Sequence, residues 1–279
     1  MSIQEHADGY IEPTRIFGNL YFIGTRPASS HLIDTGDGLI LIDSGYPKTI
    51  HAVLEGIKHF GFDPQDLRLI LHSHGHIDHL GATKDLVNLT GARTLIGAPD
   101  APLADGTVDL TWARELGTVY TQAFTPDVLL HDGDTVTLGQ TCIKCVSTPG
   151  HTEGTMSFFF DVTDGQTTCR AGMHGGVGIN SMKSPFLTKY GLSFSCRENF
   201  LRGLDKVENE HVDIFIGNHV GNNHTEEKIA QKKTGGDNPF IDPTEWKKFI
   251  CACRNRVQKL MEEDPVPHGY EEQYRSSSL

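Results

Sequence analysis

Four histidines and one aspartate lie within the eight residues HSHGHIDH (72–79). Neutral imidazole and carboxylate are the side chains that bind zinc and other first-row metals in proteins. In an extended segment alternate side chains share a face, so we expect His74, His76 and Asp78 to converge and His79 to point elsewhere. Two directions of approach allow two metal ions. The segment therefore predicts half of a metal site.

Two further histidines follow predicted strands and are candidates for the other half of the site. His151 ends the sequence PGH after a strand predicted at 141–147, and His219 follows Asn218 after a strand predicted at 212–216. His224 is close enough in sequence to compete with His219. We expect four other histidines to be structural or solvent-facing: His72, His131, His174 and His211.

Hydrophobic periodicity predicts strands and helices in two similar halves. Alternating or continuous apolar runs predict strands at 20–23, 31–34, 39–43, 67–71, 93–96, 135–138, 141–147, 155–161, 167–171 and 212–216. Apolar residues spaced three and four apart predict helices at 47–60, 80–89, 198–207 and 243–261. Residues 100–125 give no clear pattern.

The order of these elements predicts an α/β fold with an αββα sandwich. Each half runs from sheet to helix to strand, so we expect two mixed sheets packed face to face with helices on the outer faces. We predict a single domain over residues 1–279, with its core at about 15–263 and short terminal extensions. Residues 275–279 are predicted to be a frayed tail.

Composition excludes several classes of partner. The chain has 279 residues and a formal charge of −12, and its longest basic cluster is Lys232-Lys233, which argues against nucleic acid. The chain has no run of eighteen apolar residues, so no membrane span is predicted. The first twenty residues lack the basic and apolar regions of a signal peptide, so we expect a cytoplasmic protein, or a periplasmic one if a leader was removed. We expect a small-molecule substrate and make no prediction of oligomeric state.

The six cysteines do not predict a disulfide framework in a chain of this length. Cys142 and Cys145 form a C-x-x-C pair within TCIKCVS, but the segment alternates like a strand and no second pair of that spacing follows. We interpret both residues as ordinary strand residues, with a redox or metal role as the alternative.

The chain resembles the metallo-β-lactamase fold superfamily in four motifs. These are LIDSG (41–45), HGHIDH (74–79), TPGHT (148–152) and GNH (217–219), and they span most of the chain. Residues 19–45 and NPFIDPTEW (238–246) look most like the third subclass of zinc β-lactamases. The resemblance implies the αββα fold, a metal-dependent hydrolase and two zinc ions per chain.

Matching motifs imply which residues hold each ion. The first zinc ion would be held by His74, His76 and His151, and the second by Asp78, His79 and His219. Most superfamily hydrolases have a bridging aspartate where this chain has Met173 in RAGMHGG (170–176). Methionine cannot bridge hard metal ions as carboxylate does. The third lactamase subclass also lacks that bridge and uses the histidine that matches His79.

The resemblance implies hydrolysis by a metal-activated hydroxide, without a protein nucleophile. Asp78 would act as the catalytic residue that orients this hydroxide, and Asp43 would fix the orientation of the ligands. The small hydroxyl residues that help hold the substrate carboxylate in those lactamases are replaced here, so Lys183 or Asn222 are candidate substrate contacts.

One function is the first hypothesis, and three alternatives remain open. The first hypothesis is hydrolysis of a β-lactam or similar cyclic amide, and the alternative within the same fold is hydrolysis of a lactone or thioester. A diiron oxidoreductase is disfavoured because the chain shows no flavin-binding module and no bridging carboxylate. A non-catalytic metal-binding protein is disfavoured because three protein ligands per metal leave a position open for solvent.

Overall fold

The structure is a computed structural model that describes residues 9–270. The tail predicted at 275–279 lies outside this range. Seven strands form the first sheet, in the spatial order in which they occur in the chain. They are β1 (Thr14–Phe17), β2 (Leu20–Phe22), β3 (His31–Asp34), β4 (Leu39–Ile42), β5 (Leu67–Leu71), β6 (Arg93–Gly97) and β7 (Val128–Leu130).

Five strands form the second sheet, in the spatial order β12-β11-β10-β9-β8. They are β8 (Thr135–Leu138), β9 (Thr141–Ser147), β10 (Met156–Thr163), β11 (Thr168–Met173) and β12 (Ile214–Phe215). The helices are α1 (Ile50–His59), α2 (Ile77–Leu80), α3 (Thr83–Thr90), α4 (Ala101–Ala104), α5 (Ser184–Tyr190), α6 (Cys196–Val207), α7 (Thr225–Lys233) and α8 (Glu245–Glu263).

Buried apolar residues form three main layers, as an αββα sandwich requires. One cluster contains residues of both sheets, including Phe22, Leu71 and Phe158, and fills the space between them. A second joins β10 to α6 and α8, and a third joins the first sheet to α1 and α3. The predicted fold class is confirmed.

Parallel pairing brings the loops with site residues to one edge of the first sheet. Strands β4, β5, β6 and β7 are parallel neighbours. Parallel strands present their carboxyl ends on the same side of a sheet, where ligand sites of such sheets are found. The segments after β4, β5 and β6 therefore emerge together, and they carry Asp43, the histidine-rich turn and Asp100.

Most predicted elements are present, and the differences have local causes. The helix predicted at 80–89 is α3, and the predicted strand at 212–216 is the two-residue β12. The strands β1 and β7 and the helices α2, α4, α5 and α7 were not predicted, because three- or four-residue strands and short helices carry little periodic signal. In β9 Cys142 is exposed and Cys145 is buried, and both are free thiols, which agrees with their interpretation as strand residues.

Candidate metal centre

The first predicted ligand set comes together at the end of β5. The Nε2 atom of His74 lies 3.1 Å from Nδ1 of His76 and 3.1 Å from Nε2 of His151. His74 and His76 are buried, and His151 is half-buried. His151 reaches the group from the loop after β9 in the second sheet. The three ring nitrogens form a compact group that could hold one metal ion.

The second predicted set lies beside the first. The Nε2 atom of His79 is 3.3 Å from Oδ2 of Asp78 and 3.4 Å from Nε2 of His219. Oδ2 of Asp78 is 3.6 Å from Nε2 of His219. Ligand atoms of His74, Asp78 and His79 also lie within 4.8 Å of one another, so the two sets are contiguous. The alternative His224 is exposed at the start of α7 and takes no part in these groups.

The predicted grouping of His74, His76 and Asp78 on one face is wrong. The chain leaves the extended conformation at Ile77, where the one-turn helix α2 begins. Strand alternation therefore stops applying at Asp78, and consecutive residues of the helix turn can serve one site. Asp78 and His79 consequently share the second group instead of pointing in different directions.

Hydrogen bonds on the outer side of the imidazoles define which nitrogen faces the centre. In three of the rings Nδ1 lies 2.7–2.8 Å from a backbone carbonyl oxygen. A carbonyl can only accept, so Nδ1 carries the proton and Nε2 presents a lone pair to the centre. The ring and carbonyl pairs are His74 with Gly175, His151 with Gly178, and His219 with Pro27.

The fourth Nε2 donor is oriented by a carboxylate. Nδ1 of His79 lies 2.8 Å from Oδ2 of Asp43, and the Asp43 carboxylate also accepts hydrogen bonds from the backbone nitrogen and hydroxyl of Ser73. Asp43 adopts a φ of 60°, a left-handed conformation that is uncommon for a residue other than glycine. The expected role of Asp43 in fixing a ligand therefore agrees with its contacts.

The arrangement of lone pairs fits a cation. The contact of 3.1 Å between Nε2 of His74 and Nε2 of His151 joins two acceptors, so no hydrogen bond can form there. Burial lowers the pKa of His74 and His76 well below its ordinary value and that of His151 to about 4, which keeps these rings neutral at pH 7. Neutral, inward-facing imidazoles are the form that binds zinc.

The second group carries the balancing negative charge. Burial disfavours the charged form of Asp78, yet the neighbouring His79 holds the pKa of this carboxyl well below its usual value. Burial likewise opposes protonation of His79, but the Asp78 and Asp43 carboxylates raise its pKa to about 10. The field at His79 Nε2 thus favours a positive charge there, which a metal cation can supply in place of the proton.

A carboxylate that no motif indicated supports both loops of the first group. Asp100, buried after β6, accepts hydrogen bonds from the backbone nitrogens of Gly75 and Gly154 and from the hydroxyl of Thr152. Gly75 separates His74 from His76, and Thr152 follows His151. Burial raises the pKa of Asp100 to about 6 even though these hydrogen bonds favour the carboxylate. Asp100 therefore ties the ligand loops of the two sheets together.

The loop after β11 supports the centre through its backbone. Met173 is fully buried in the cluster between the sheets, and within residues 9–270 the one carboxylate in the two ligand groups belongs to Asp78. The carbonyl of Gly175 accepts hydrogen bonds from His74 and from the Asn218 amide. A Cβ atom at Gly175 would lie 2.0 Å from the carbonyl oxygen of Met156, so glycine is required.

The two candidate substrate contacts lie in different surroundings. Lys183 is exposed at the start of α5 and does not line the cavity beside the centre. Asn222 is half-buried, and its amide donates to Oδ1 of Asn218, 2.6 Å away. Through this contact Asn222 supports the Asn218 amide that reaches Gly175. A substrate contact of either residue stays a prediction.

The four histidines that were expected to be structural or solvent-facing have such surroundings. His72 is buried between the Leu95 carbonyl and the Thr83 hydroxyl. His174 is buried against Phe200, and His131 and His211 are exposed.

The sequence did not indicate an aromatic contact with the first group. Trp112, at a φ of 68°, packs against His76, with 5.7 Å between the ring centroids.

The sequence matches proteins of one family. A sequence profile of the metallo-beta-lactamase superfamily matches residues 23–164. A probable metallo-hydrolase, YflN of Bacillus subtilis, is 27% identical over 56% of this chain and 61% of its own length. A hydroxyacylglutathione hydrolase of Anaeromyxobacter dehalogenans is 30% identical over 53% of this chain and 50% of its own. The chain thus spans half to three fifths of the length of these two curated relatives.

Solved structures match nearly the whole chain. Native FEZ-1 metallo-β-lactamase of Legionella gormanii is 30% identical, with a TM-score of 0.83 over 91% of this chain and 96% of its own. BJP-1 of Bradyrhizobium japonicum, a subclass B3 metallo-β-lactamase, is 26% identical, with a TM-score of 0.83 over 94% and 98%. LRA-12, a class B3 di-zinc metallo-β-lactamase from an Alaskan soil metagenome, is 27% identical, with a TM-score of 0.80 over 91% and 96%. With a profile match over half of its residues and this fold, the chain belongs to the metallo-β-lactamase superfamily of metal-dependent hydrolases.

Proposed function

We propose that the protein is a dinuclear zinc hydrolase that opens a β-lactam or a similar cyclic amide. The observation that carries the proposal is the pair of contiguous groups of three candidate ligand residues, in which four imidazole Nε2 atoms face inward. The description of LRA-12 as a di-zinc enzyme of class B3 supports two zinc ions on such a fold.

The ligands divide between the two ions as the motifs predict. His74, His76 and His151 would hold the first ion, and Asp78, His79 and His219 would hold the second. When bound there, zinc would supply a water of lowered pKa and polarisation of a carbonyl group.

The side chains around the ions orient the reaction. Asp78 accepts a hydrogen bond from the nucleophile and so sets its direction of attack, which makes Asp78 the catalytic residue of the protein itself. Asp43 keeps the lone pair of His79 directed at the centre. No protein group is required as a nucleophile.

The carboxylate of a β-lactam needs a partner in a chain of net charge −12. We assign this role to Lys183, with Asn222 as the second candidate. Lys183→Ala should raise KM for a penicillin with little change in kcat, because an interaction present equally in ground and transition state is lost. Unchanged kinetics would dismiss the lysine.

Hydrolysis of a lactone or thioester is the second candidate, and two observations favour it. Two of the curated relatives are named hydroxyacylglutathione hydrolases. Among residues 9–270 no lysine or arginine lines the cavity next to the centre, so its wall gives the carboxylate of a β-lactam no cationic partner. A diiron oxidoreductase is the least favoured function, and metal analysis of the purified protein tests it.

A substrate panel on the zinc-loaded protein tests the proposal. Nitrocefin, a penicillin, an acyl-homoserine lactone and an acyl thioester are compared at equal zinc occupancy, with the chelator-treated protein as the blank. Turnover of nitrocefin and the penicillin supports the lactamase proposal. Turnover of the lactone or thioester alone replaces it with the second candidate, and turnover of none removes both.

A further inference from the structure

A cavity of about 220 Å³ begins at the first ligand group and leads away from it. His76 and His151 form part of its wall, and the rest comes from three segments, 99–110, 149–153 and 181–199. The cavity is therefore continuous with the place where the reacting carbonyl must lie. A substituent of the substrate can extend into it while the carbonyl stays at the centre.

Apolar side chains provide most of the wall beyond the two histidines. They include Leu103, Val108, Leu110, Phe186, Leu187 and Leu192. The uncharged polar residues in the wall include Ser181, whose hydroxyl already donates a hydrogen bond to the His151 carbonyl oxygen. Such a wall binds hydrocarbon by removing it from water.

The charged residues of the cavity disfavour an anion. In the part of the chain that the structure describes, its wall contains two carboxylates, Asp100 and Glu153, and no lysine or arginine. Both oxygens of Asp100 already accept hydrogen bonds from the protein, and Glu153 is exposed at the edge. An anionic substituent would lose its hydration without gaining a cationic partner, which is costly.

From this wall we infer that the cavity binds an uncharged, apolar arm of the substrate, such as a medium-length acyl chain or an aryl group. The inference rests on the proposed hydrolase and narrows its substrate class to carbonyl compounds with such an arm. Each methylene that enters the cavity contributes about 0.8 kcal/mol, which is about a fourfold gain in kcat/KM. The gain ends when the arm is longer than the cavity.

A series of acyl arms on three scaffolds tests the inference. Butanoyl to dodecanoyl arms are attached to 6-aminopenicillanic acid, to homoserine lactone and, as thioesters, to N-acetylcysteamine. A matched arm pair, octanoyl and 7-carboxyheptanoyl, differs by a terminal carboxylate. On whichever scaffold the zinc-loaded protein hydrolyses, kcat/KM should rise about fourfold per methylene to a plateau, and the carboxylate should reduce it at least tenfold.

Two lysine variants distinguish an effect of charge inside the cavity from a general effect of added charge on the protein. Val108 lines the cavity and is 37% exposed, whereas Val119 is 75% exposed and lies outside the lining. Val108→Lys should lower kcat/KM for the octanoyl arm and raise it for the carboxylate arm. Val119→Lys, with the same change of charge, should leave the ratio of the two unchanged.

Failure of the inference and failure of the proposed function give different results. Turnover that does not depend on arm length, or a ratio that Val108→Lys and Val119→Lys change equally, overturns the cavity assignment while the hydrolase stands. If no scaffold is hydrolysed, the proposed function fails, and calorimetric titration with N-alkylacetamides of four to ten carbons tests the cavity alone. Affinity that increases with length and falls in Val108→Lys supports the cavity assignment, and absence of binding overturns it.

Discussion

The atoms that face away from the metal centre decide which atoms are left to bind metal. Asp43 illustrates this, because its carboxylate holds Nδ1 of His79 and leaves Nε2 as the inward donor. The same carboxylate accepts from both the backbone and the hydroxyl of Ser73. A change at Asp43 should therefore act on His79 directly and on the backbone of Ser73, which precedes His74.

Asp43→Asn should weaken the second metal by ten- to a hundredfold, the usual effect of losing the partner of a histidine ligand. Asparagine tolerates the left-handed backbone of this position, so the loop should keep its shape. Asparagine has one acceptor oxygen instead of two, and with that oxygen on the backbone nitrogen of Ser73 its NH2 group faces Nδ1 of His79 and cannot accept the proton. Zinc competition with a chromophoric chelator measures the change, and equal affinity in variant and wild type would show that Asp43 does not orient this ligand.

His79→Ala and His151→Ala should each empty a different site. Each removes one of three protein ligands, so we expect one zinc equivalent in each variant instead of two. His131→Ala, an exposed histidine away from the centre, is the control and should keep both. Two equivalents in His79→Ala would mean that another residue binds the second ion.

Short loops after the strands hold the ligands in place, and two of these loops meet at one carbonyl. Gly175, after β11, accepts from His74 at 2.8 Å and from the amide of Asn218, after β12, at 2.9 Å. Asn222 in turn donates to Asn218. The position of His74 thus depends on a residue of another loop.

Asn218→Ala should lower zinc affinity by about tenfold, because the Gly175 carbonyl loses one of the two donors that fix it. Asn222→Ala acts one step further away, so a smaller loss of affinity is expected. Both affinities are measured by chelator competition, together with the free energy of unfolding in urea. A loss of stability without a loss of zinc affinity in Asn218→Ala would contradict this role.

Asp100 links the loops after β5 and β9, and its titration gives a pH dependence. Burial raises its pKa from 3.8 to about 6, so between these values the folded protein binds a proton that the unfolded chain does not. Its contribution to the free energy of unfolding therefore falls as pH rises from about 4 to about 6 and is constant above.

Urea unfolding of the zinc-free protein across this range, compared with Asp100→Asn, isolates the contribution. The difference in stability between wild type and variant should decrease with rising pH in that window. A difference that does not change with pH would mean that Asp100 is ionised throughout.

The sequence indicated the candidate ligands, which the fold brings together, but not the elements that support them. His74, His76, Asp78, His79 and His151 follow strands whose apolar pattern is clear, so both spacing and position were readable. The helix α2 was missed because one turn leaves no periodicity, and the direction of Asp78 was therefore misjudged. Asp100 and Trp112 belong to no short pattern, and the GNH motif does not show that Asn218 reaches Gly175, since these roles come from contacts between segments distant in sequence.

At the scale of the whole molecule, the net charge of −12 repels anionic substrates. Raising the ionic strength from about 10 to 150 mM shortens the Debye length from about 30 to 8 Å and so should raise kcat/KM for a penicillin. A neutral lactone with the same arm should show no such increase. A salt effect of equal size on both would exclude repulsion by the charge of the protein as its cause.

Residues 9–270 contain no helix with the length and hydrophobicity needed to cross a membrane. The sandwich of the two sheets brings candidate ligands from both to one edge. The first sheet carries His74, His76 and the second-site pair Asp78 and His79, while His151 and His219 come from the second. Closure of the two sheets on each other therefore completes both groups of ligands. The centre depends on the whole fold and not on one motif.

The number of zinc ions bound by the wild-type chain tests the central claim most directly. Protein freed of metal by a chelator is titrated with zinc in a calorimeter, and the bound metal is counted by elemental analysis after removal of the excess. Two equivalents per chain, with activity restored as zinc is added, is the result we expect from two groups of three ligand residues. Saturation at one equivalent or fewer under excess zinc would contradict the dinuclear centre.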